Sequence, residues 1–309
     1  MIKVVKTDNI IPVLDEFTSV FNGLDVDFVC EHCETEEDLI RVCADADGIL
    51  TVKEPFTANV IASLSRCKVI SRFGIGLDNI DLEAARASGI VVANVPDGGV
   101  EEVSTHAVAM ILALIRRLPH YDRAVRDGEF QGMRIGAPIR RTTKMTVGLI
   151  GLGRIGAMTA RKLSAFGFTL WGYDPHVSDA VFADCGIERR PLDDIIAQAD
   201  VLSFHTPLTP ETAGLIDAAR IQAMKPGAIL VNVSRGGLVD EVALARALTE
   251  GKLAGAGIDT FAIEPLPADS PLRTAPHLLL SPHAASISQD SVHDTCFKAF
   301  VNVAKVFSD

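Results

Sequence analysis

Gly151, Gly153 and Gly156 stand in GxGxxG spacing, directly behind the apolar run TVGLI and ahead of a helix-like segment. In that context the first glycine permits a tight turn, the second lets backbone approach a pyrophosphate, and the third lets helix and strand pack closely. Free N–H groups around Arg154 and Ile155 then face the phosphates. The next apolar run, TLWGY, ends at Asp174, close to the offset of about 20 residues at which a carboxylate accepts hydrogen bonds from the adenosine ribose. The same carboxylate repels a 2′-phosphate, and Pro175 supplies no compensating cation. The cofactor expected is NAD rather than NADP.

Three further residues lie just beyond apolar runs: Arg235 after AILVNVS, Glu264 after AGIDTFAI and His283 after LLLSP. In an open α/β sheet ligands sit off the carboxyl ends of the strands, so these side chains can converge beside a nicotinamide. The chemistry available to them is proton transfer and stabilisation of charge on a carbonyl oxygen. Taken singly, each also fits a structural place: a loop histidine, a surface cation and a helix-start acid before Pro265.

The elements that would position these groups are legible in the patterning. Short β-branched runs recur near residues 2–5, 26–29, 48–52, 69–71 and 90–93, separated by helix-like segments, as in βαβ units with a parallel sheet. Asp81 and Gly89 bracket one such helix as N-cap and C-terminal stop. A long helical pattern from Val103 to Leu118 follows the turn-rich NVPDGG and is expected to stop at Pro119, its apolar face serving as core or subunit contact. The polar, basic stretch 121–144 reads as an arm over a neighbouring surface, which favours a homodimer. Strand and helix alternate again from Met145, with strands expected at 146–150, 169–173, 201–205, 228–233, 255–258 and 278–280, and a helix closes the sequence at 291–307.

With 309 residues, 48% of them hydrophobic, the chain is large enough to divide into two domains. Its formal charge of −11 argues against a nucleic-acid partner, which needs a basic stripe. The N-terminal MIKVVKTDN lacks the apolar core of a signal peptide, and no apolar run reaches the roughly 20 residues that span a bilayer. A cytoplasmic protein without membrane contact is expected. Of six cysteines, Cys30 and Cys33 have CxxC spacing, but without two further ligands at matching spacing no metal site is expected, and the pair reads as a strand end.

Together the motifs GLGRIG, HTPLTPETAGLI, MKPGAILVNVSRGGLVDE, GIDTFAIEPLP and SPHAA, with weaker matches at SRFGIGLDNIDLEAARASGI and NVP, resemble the D-isomer-specific 2-hydroxyacid dehydrogenases. The resemblance implies an α/β fold of two doubly wound parallel-sheet domains: a Rossmann NAD domain at 98–285 inserted in a flavodoxin-like substrate domain at 1–97 and 286–309, with the active site in the cleft. It implies hydride transfer between NAD(H) and C2 of a small D-2-hydroxy acid or 2-oxo acid. By the same resemblance Arg235 binds the substrate carboxylate and keto oxygen, His283 is the proton donor or acceptor, and Glu264 pairs with it. His205, Thr206 and Pro207 fall in the adenine-side pocket, Asp259 meets the nicotinamide carboxamide, and backbone groups of Ile75 and Gly76 hold the substrate carboxylate.

Arg72, just ahead of that loop, reads either as a second anion contact, favouring a dianionic substrate, or as a cation at a strand end. His106 reads as buried structure. The VEEVSTHAV segment and the NVP turn look most like the phosphoglycerate dehydrogenase and C-terminal-binding-protein-like branch, some of whose members are NAD-sensing corepressors, so an NAD(H) sensor with little turnover stays open beside the enzyme. Formate dehydrogenase is disfavoured, since that branch pairs its histidine with glutamine.

Overall fold

The computed structural model describes residues 1–136 and 138–308. The expected arm crosses residue 137 and the expected substrate domain runs to residue 309, two positions that lie outside the described residues. The strands are β1 (Ile2–Lys6), β2 (Val26–Cys30), β3 (Gly48–Thr51), β4 (Val69–Arg72), β5 (Val91–Ala93), β6 (Thr146–Ile150), β7 (Thr169–Tyr173), β8 (Glu188–Arg189), β9 (Val201–Phe204), β10 (Ala228–Asn232), β11 (Leu253–Ile258) and β12 (Leu278–Leu280). They form two parallel sheets in two compact units, one built from Met1–Gly99 with the segment from Ile287 onward, the other from Val100–Ser286.

The first unit has strand order β2-β1-β3-β4-β5, the flavodoxin-like arrangement, in which the chain reverses direction of winding at β1 and β3. β3 is buried along its whole length, as a central strand covered on both faces must be. One cover is the helix Gln289–Ser308. Gly48 has no room for a side chain beneath it, because a Cβ there would lie 2.9 Å from Val303. On the same helix Phe300 is fully buried, with ring contacts to Phe17, Phe21, Phe28 and Phe73 at 5.5–6.2 Å. Its burial alone contributes about 2–3 kcal/mol. The sequence continues from the second unit into this helix because the first sheet has an apolar face for it to close.

The second unit has strand order β12-β11-β10-β9-β6-β7-β8, the doubly wound Rossmann order with its switch point between β6 and β9. The helix Val100–Ile115 covers this sheet and puts Met110 and Leu114 against Gly255 and Gly257. A Cβ on Gly257 would meet Met110 Sδ at 3.0 Å. The apolar face of this helix is therefore core.

The helix ends earlier than the apolar pattern suggests. It stops at Ile115, Arg117 takes a left-handed φ of 54°, and a new helix, Leu118–Arg126, starts with Pro119 in its first turn. Proline is favoured in a first turn, where its missing N–H has no intrahelical partner to lose, so Pro119 opens a helix here. β8, two exposed residues pairing with Trp171 and Gly172, carries no apolar pattern and is absent from the sequence reading. Cys30 is the last residue of β2. Among the described residues no group of three His, Cys, Asp or Glu side chains can hold a metal ion. No helix among them is long and apolar enough to cross a membrane.

Candidate active site

Every strand of the second sheet runs parallel, so the segments that follow β6, β7, β9, β10, β11 and β12 all emerge at one edge. The sequence candidates of this unit lie in those segments. Gly151 has φ 92°, and a Cβ on it would sit 2.5 Å from the His205 carbonyl oxygen and 2.8 Å from Thr206 N. A Cβ on Gly156 would sit 2.1 Å from Gly151 O. The two glycines thus close the loop after β6 onto the end of β9 and onto the helix Arg154–Ser164.

Gly153 differs. It caps that helix with no side-chain hydrogen bond, and nothing lies within 4 Å of where its Cβ would be. This leaves an open cradle over the first-turn N–H groups of Arg154 and Ile155, the place where a pyrophosphate fits. Asp174 stands beside it, accepting Leu152 N through Oδ2 and His176 N through Oδ1, both at 2.8 Å. These bonds fix a carboxylate at the end of β7, next to the glycine turn. The residues present therefore fit a dinucleotide. Arg189 on β8 also reaches this corner, donating to the Asp174 carbonyl at 3.4 Å and lying over the Phe182 ring. No apolar run marks β8, so nothing in the local pattern singles out Arg189.

His205 keeps partial exposure as a residue, yet its Nδ1 is sealed from water without a partner, while Nε2 lies 2.9 Å from Ser203 Oγ. Burial pulls its pKa down to about 3. An unfolded chain takes up a proton near the ordinary histidine pKa and the folded one does not until about pH 3. Stability is thus present above the ordinary value and lost as pH falls. Between pH 7 and 5 the wild type should lose about 2 kcal/mol more than His205→Gln in denaturant titrations, at about 1.4 kcal/mol per pH unit. Equal losses would contradict it. Thr206 adjoins the Gly151 turn, and the exposed Pro207 accepts Thr212 Oγ1 at 2.7 Å through its carbonyl.

Beyond β10, Asn232 organises the turn that presents Arg235. Its Nδ2 donates to Arg235 O at 2.8 Å and its Oδ1 accepts Ser234 N at 3.0 Å. Arg235 is half-buried, with Nη1 donating to Ser234 O at 2.7 Å. Gly236 then lies against the segment after β11, where a Cβ would come within 1.9 Å of the Phe261 backbone. That segment carries Glu264, whose Oε1 accepts Phe261 N and whose Oε2 is 2.9 Å from His283 Nδ1. The pair is open to solvent, with side chains 43% exposed at His283 and 38% at Glu264, so a substrate can reach it. Behind it Glu241 accepts Ala262 N at 2.7 Å. Burial pushes the Glu241 carboxyl above its ordinary value, the Ala262 bond pulls it back, and the charge of Glu264 adds to the rise.

His283 has φ 52°, a left-handed conformation that non-glycine residues rarely adopt and that clusters at functional sites. Asp259, fully buried, holds it there. The Asp259 carbonyl accepts His283 N at 2.8 Å, its Oδ1 accepts Ala284 N at 2.9 Å and its Oδ2 accepts Ala285 N at 3.1 Å. Ser281 and His106, outside the sequence candidates, complete this cluster. They are 22 and 175 positions from their partners, distances over which spacing carries no signal.

The remaining candidates belong to the first unit. Arg72 ends β4 and its Nε donates to Val52 O at 2.9 Å, while Gly74, at φ 124°, lies so close that a Cβ would be 2.1 Å from Arg72 Nη1. The loop after β4 is pinned by Asn94, whose Nδ2 donates to Ile75 O at 2.6 Å, and by Val95 N donating to Gly74 O. Ile75 and Gly76 thereby share one fixed turn.

The profile of the D-isomer specific 2-hydroxyacid dehydrogenase NAD-binding domain matches residues 108–285. The D-3-phosphoglycerate dehydrogenase of Mycobacterium tuberculosis is 42% identical over 262 residues, 82% of this chain and 48% of that protein. The glyoxylate reductase of Korarchaeum cryptofilum is 36% identical over 259 residues, 82% of this chain and 77% of that one. Among solved structures, a D-lactate dehydrogenase from Aquifex aeolicus complexed with NAD and lactic acid superposes with a TM-score of 0.86 at 29% identity, covering 99% of this chain and 95% of that chain. The chain spans about half the length of the phosphoglycerate dehydrogenases it matches. It belongs to the D-isomer specific 2-hydroxyacid dehydrogenase family, and its second unit is an NAD-binding domain.

Proposed function

We propose that the chain catalyses hydride transfer between NAD(H) and C2 of a small D-2-hydroxy acid or 2-oxo acid, with His283 as acid and base and Arg235 on the substrate carboxylate and carbonyl. The observation that carries this reading is the exposed His283–Glu264 pair, 2.9 Å apart, at the sheet edge that also holds the glycine cradle. Gly151, Gly153, Arg154, Ile155, Gly156 and Asp174 with His205, Thr206 and Pro207 would hold NAD(H), which when bound would supply or accept the hydride; Asp259, fully buried with both carboxylate oxygens bonded inward, serves the His283 turn and not the nicotinamide. As negative charge grows on the carbonyl oxygen, the Arg235 guanidinium opposes it and the imidazolium of His283 hands over a proton from Nε2. Glu264 at Nδ1 orients the ring and leaves Nε2 for the substrate. In the oxidative direction the neutral ring takes the proton back.

In the same reading residues 98–285 form the cofactor domain, and residues 1–97 with 286–309 select the substrate. The Ile75 and Gly76 N–H groups hold its carboxylate and Arg72 meets a further anionic group. In this reading the protein also works in the cytoplasm. It is a homodimer whose contact includes Phe130 and Met133, two apolar side chains 89% and 95% exposed on the polar segment after Leu118–Arg126. Sedimentation should give twice the chain mass for the wild type and a monomer for the Phe130→Glu, Met133→Glu double variant; a monomeric wild type removes the dimer.

The direct test of the activity is NADH oxidation over glyoxylate, pyruvate, hydroxypyruvate, phenylpyruvate, 2-oxoglutarate and phosphohydroxypyruvate. Turnover with at least one supports it. NADH binding without turnover on any of them leaves the sensor reading ahead. For the cofactor, NAD(H) should bind at least about tenfold tighter than NADP(H), because the Asp174 carboxylate faces the position of a 2′-phosphate, and Asp174→Ala should narrow the gap. Comparable affinities in the wild type would refute that role.

A further inference from the structure

His106, on the helix Val100–Ile115, takes no part in the chemistry proposed above, yet hydrogen bonds tie it to the turn that carries His283. Its Nε2 lies 2.9 Å from Ser281 Oγ. A serine has one hydroxyl hydrogen, and that of Ser281 goes to Asp259 Oδ1, 2.5 Å away. Toward His106 the oxygen can therefore only accept. His106 must carry a proton on Nε2, and the three side chains form a one-way run of donors from His106 through Ser281 to Asp259.

Asp259 is the end of that run and the clamp of the His283 turn. Fully buried, it accepts Ala284 N and Ala285 N on its two carboxylate oxygens and His283 N on its carbonyl. Those three bonds hold His283 at its left-handed φ of 52°. A buried carboxylate keeps one orientation only while its acceptors are filled from fixed directions. Ser281 fills one of them, and Ser281 is itself aimed by His106. The imidazole of His106 is also 3.8 Å from Asp259 Oδ1, close enough to act on the carboxylate charge directly.

We propose that His106 is a positioning residue for the proton transfer of His283: through Ser281 it fixes the Asp259 carboxylate and so the turn that aims the His283 ring. The inference rests on the reading of His283 as the acid and base. A displacement of about 1 Å in a reacting group can lower rate about a hundredfold without weakening ligand binding, so the effect belongs in kcat.

The test uses the whole chain, an accepted 2-oxo acid and five variants. His106→Leu keeps the bulk and helix preference of the site and removes the donor; kcat should fall roughly tenfold to a hundredfold, with KM and the NADH Kd within about threefold. His106→Gln, whose side-chain amide is again a donor, should regain most of the loss. Ser281→Ala should cost about as much as His106→Leu, and the double variant His106→Leu, Ser281→Ala should be no slower than the slower single one, because both cut the same run of bonds. Wild-type kcat in His106→Leu, additive losses in the double variant, or a His106→Gln as slow as His106→Leu would each overturn the proposal. Should His106→Leu fail to fold, His106→Gln and Ser281→Ala decide it, wild-type kcat in Ser281→Ala being the refuting result. His283→Ala in the same assay separates the two levels. If it is inactive while His106→Leu is fully active, the inference fails alone; if it turns over like the wild type, the reading of His283 fails first.

Discussion

Replacing His283 by alanine should lower kcat for 2-oxo acid reduction by roughly 10²–10⁴-fold and leave NADH affinity nearly intact. The imidazole is exposed, held at Nδ1 by Glu264 and fixed in the backbone by Asp259, an arrangement that leaves Nε2 as the atom able to reach a substrate. The open cradle at Gly153 and the Asp174 carboxylate involve none of these atoms. Loss of proton transfer without loss of cofactor binding is the signature to look for. Stopped-flow NADH oxidation with a parallel fluorescence titration of NADH measures both, and unchanged turnover would remove His283 from the chemistry.

Arg235→Ala should raise KM for the oxo acid strongly, by about tenfold or more, and also cut kcat, since in the proposed reaction one cation meets the ground-state carboxylate and the developing alkoxide. The Asn232 turn and the close packing of Gly236 on Phe261 fix the Arg235 backbone at the sheet edge where His283 also lies. Arg235→Lys should recover only part, because an ammonium cannot form the planar two-point contact of a guanidinium with a carboxylate. Steady-state kinetics on the three proteins, with one oxo acid, checks the ordering. An Arg235→Ala protein whose KM is unchanged would refute substrate binding by this residue.

The parts of this molecule that could be read from its sequence are those whose physics is local. The apolar runs at β6, β7 and β12 match their strands to the residue, because each is a short apolar run that turn-forming residues bound. The glycine turn is equally local: Gly151 needs its positive φ, Gly156 needs the space its neighbours take, and both demands act within one strand, turn and helix. The break at Arg117 was hidden because Leu118 continues the apolar spacing of the preceding helix, yet it is 55% exposed in the structure. β8 was hidden for the opposite reason, since Glu188 and Arg189 are exposed and charged and form no apolar run.

Around the site the division is the same. Arg235, Glu264 and His283 stood out as charged groups just past apolar runs, while the bonds that orient them did not. Glu264 meets His283 across 19 positions, Glu241 meets Ala262 across 21, and His106 meets Ser281 across 175. No helical or strand period links residues so far apart. The parallel sheet, by delivering the ends of β10, β11 and β12 to one edge, and the helices packed on it put them within reach.

The central claim, hydride transfer at C2 giving a D-hydroxy acid, is tested most directly by following the label from NADH deuterated at the nicotinamide C4 into product. With an accepted 2-oxo acid that yields a chiral product, deuterium transferred by the wild type should appear at C2 of a 2-hydroxy acid of D configuration, and His283→Ala should form that product at least about a hundredfold more slowly. Product without deuterium from either face of the labelled cofactor, product of L configuration, or tight NADH binding with no product from any 2-oxo acid would contradict the account.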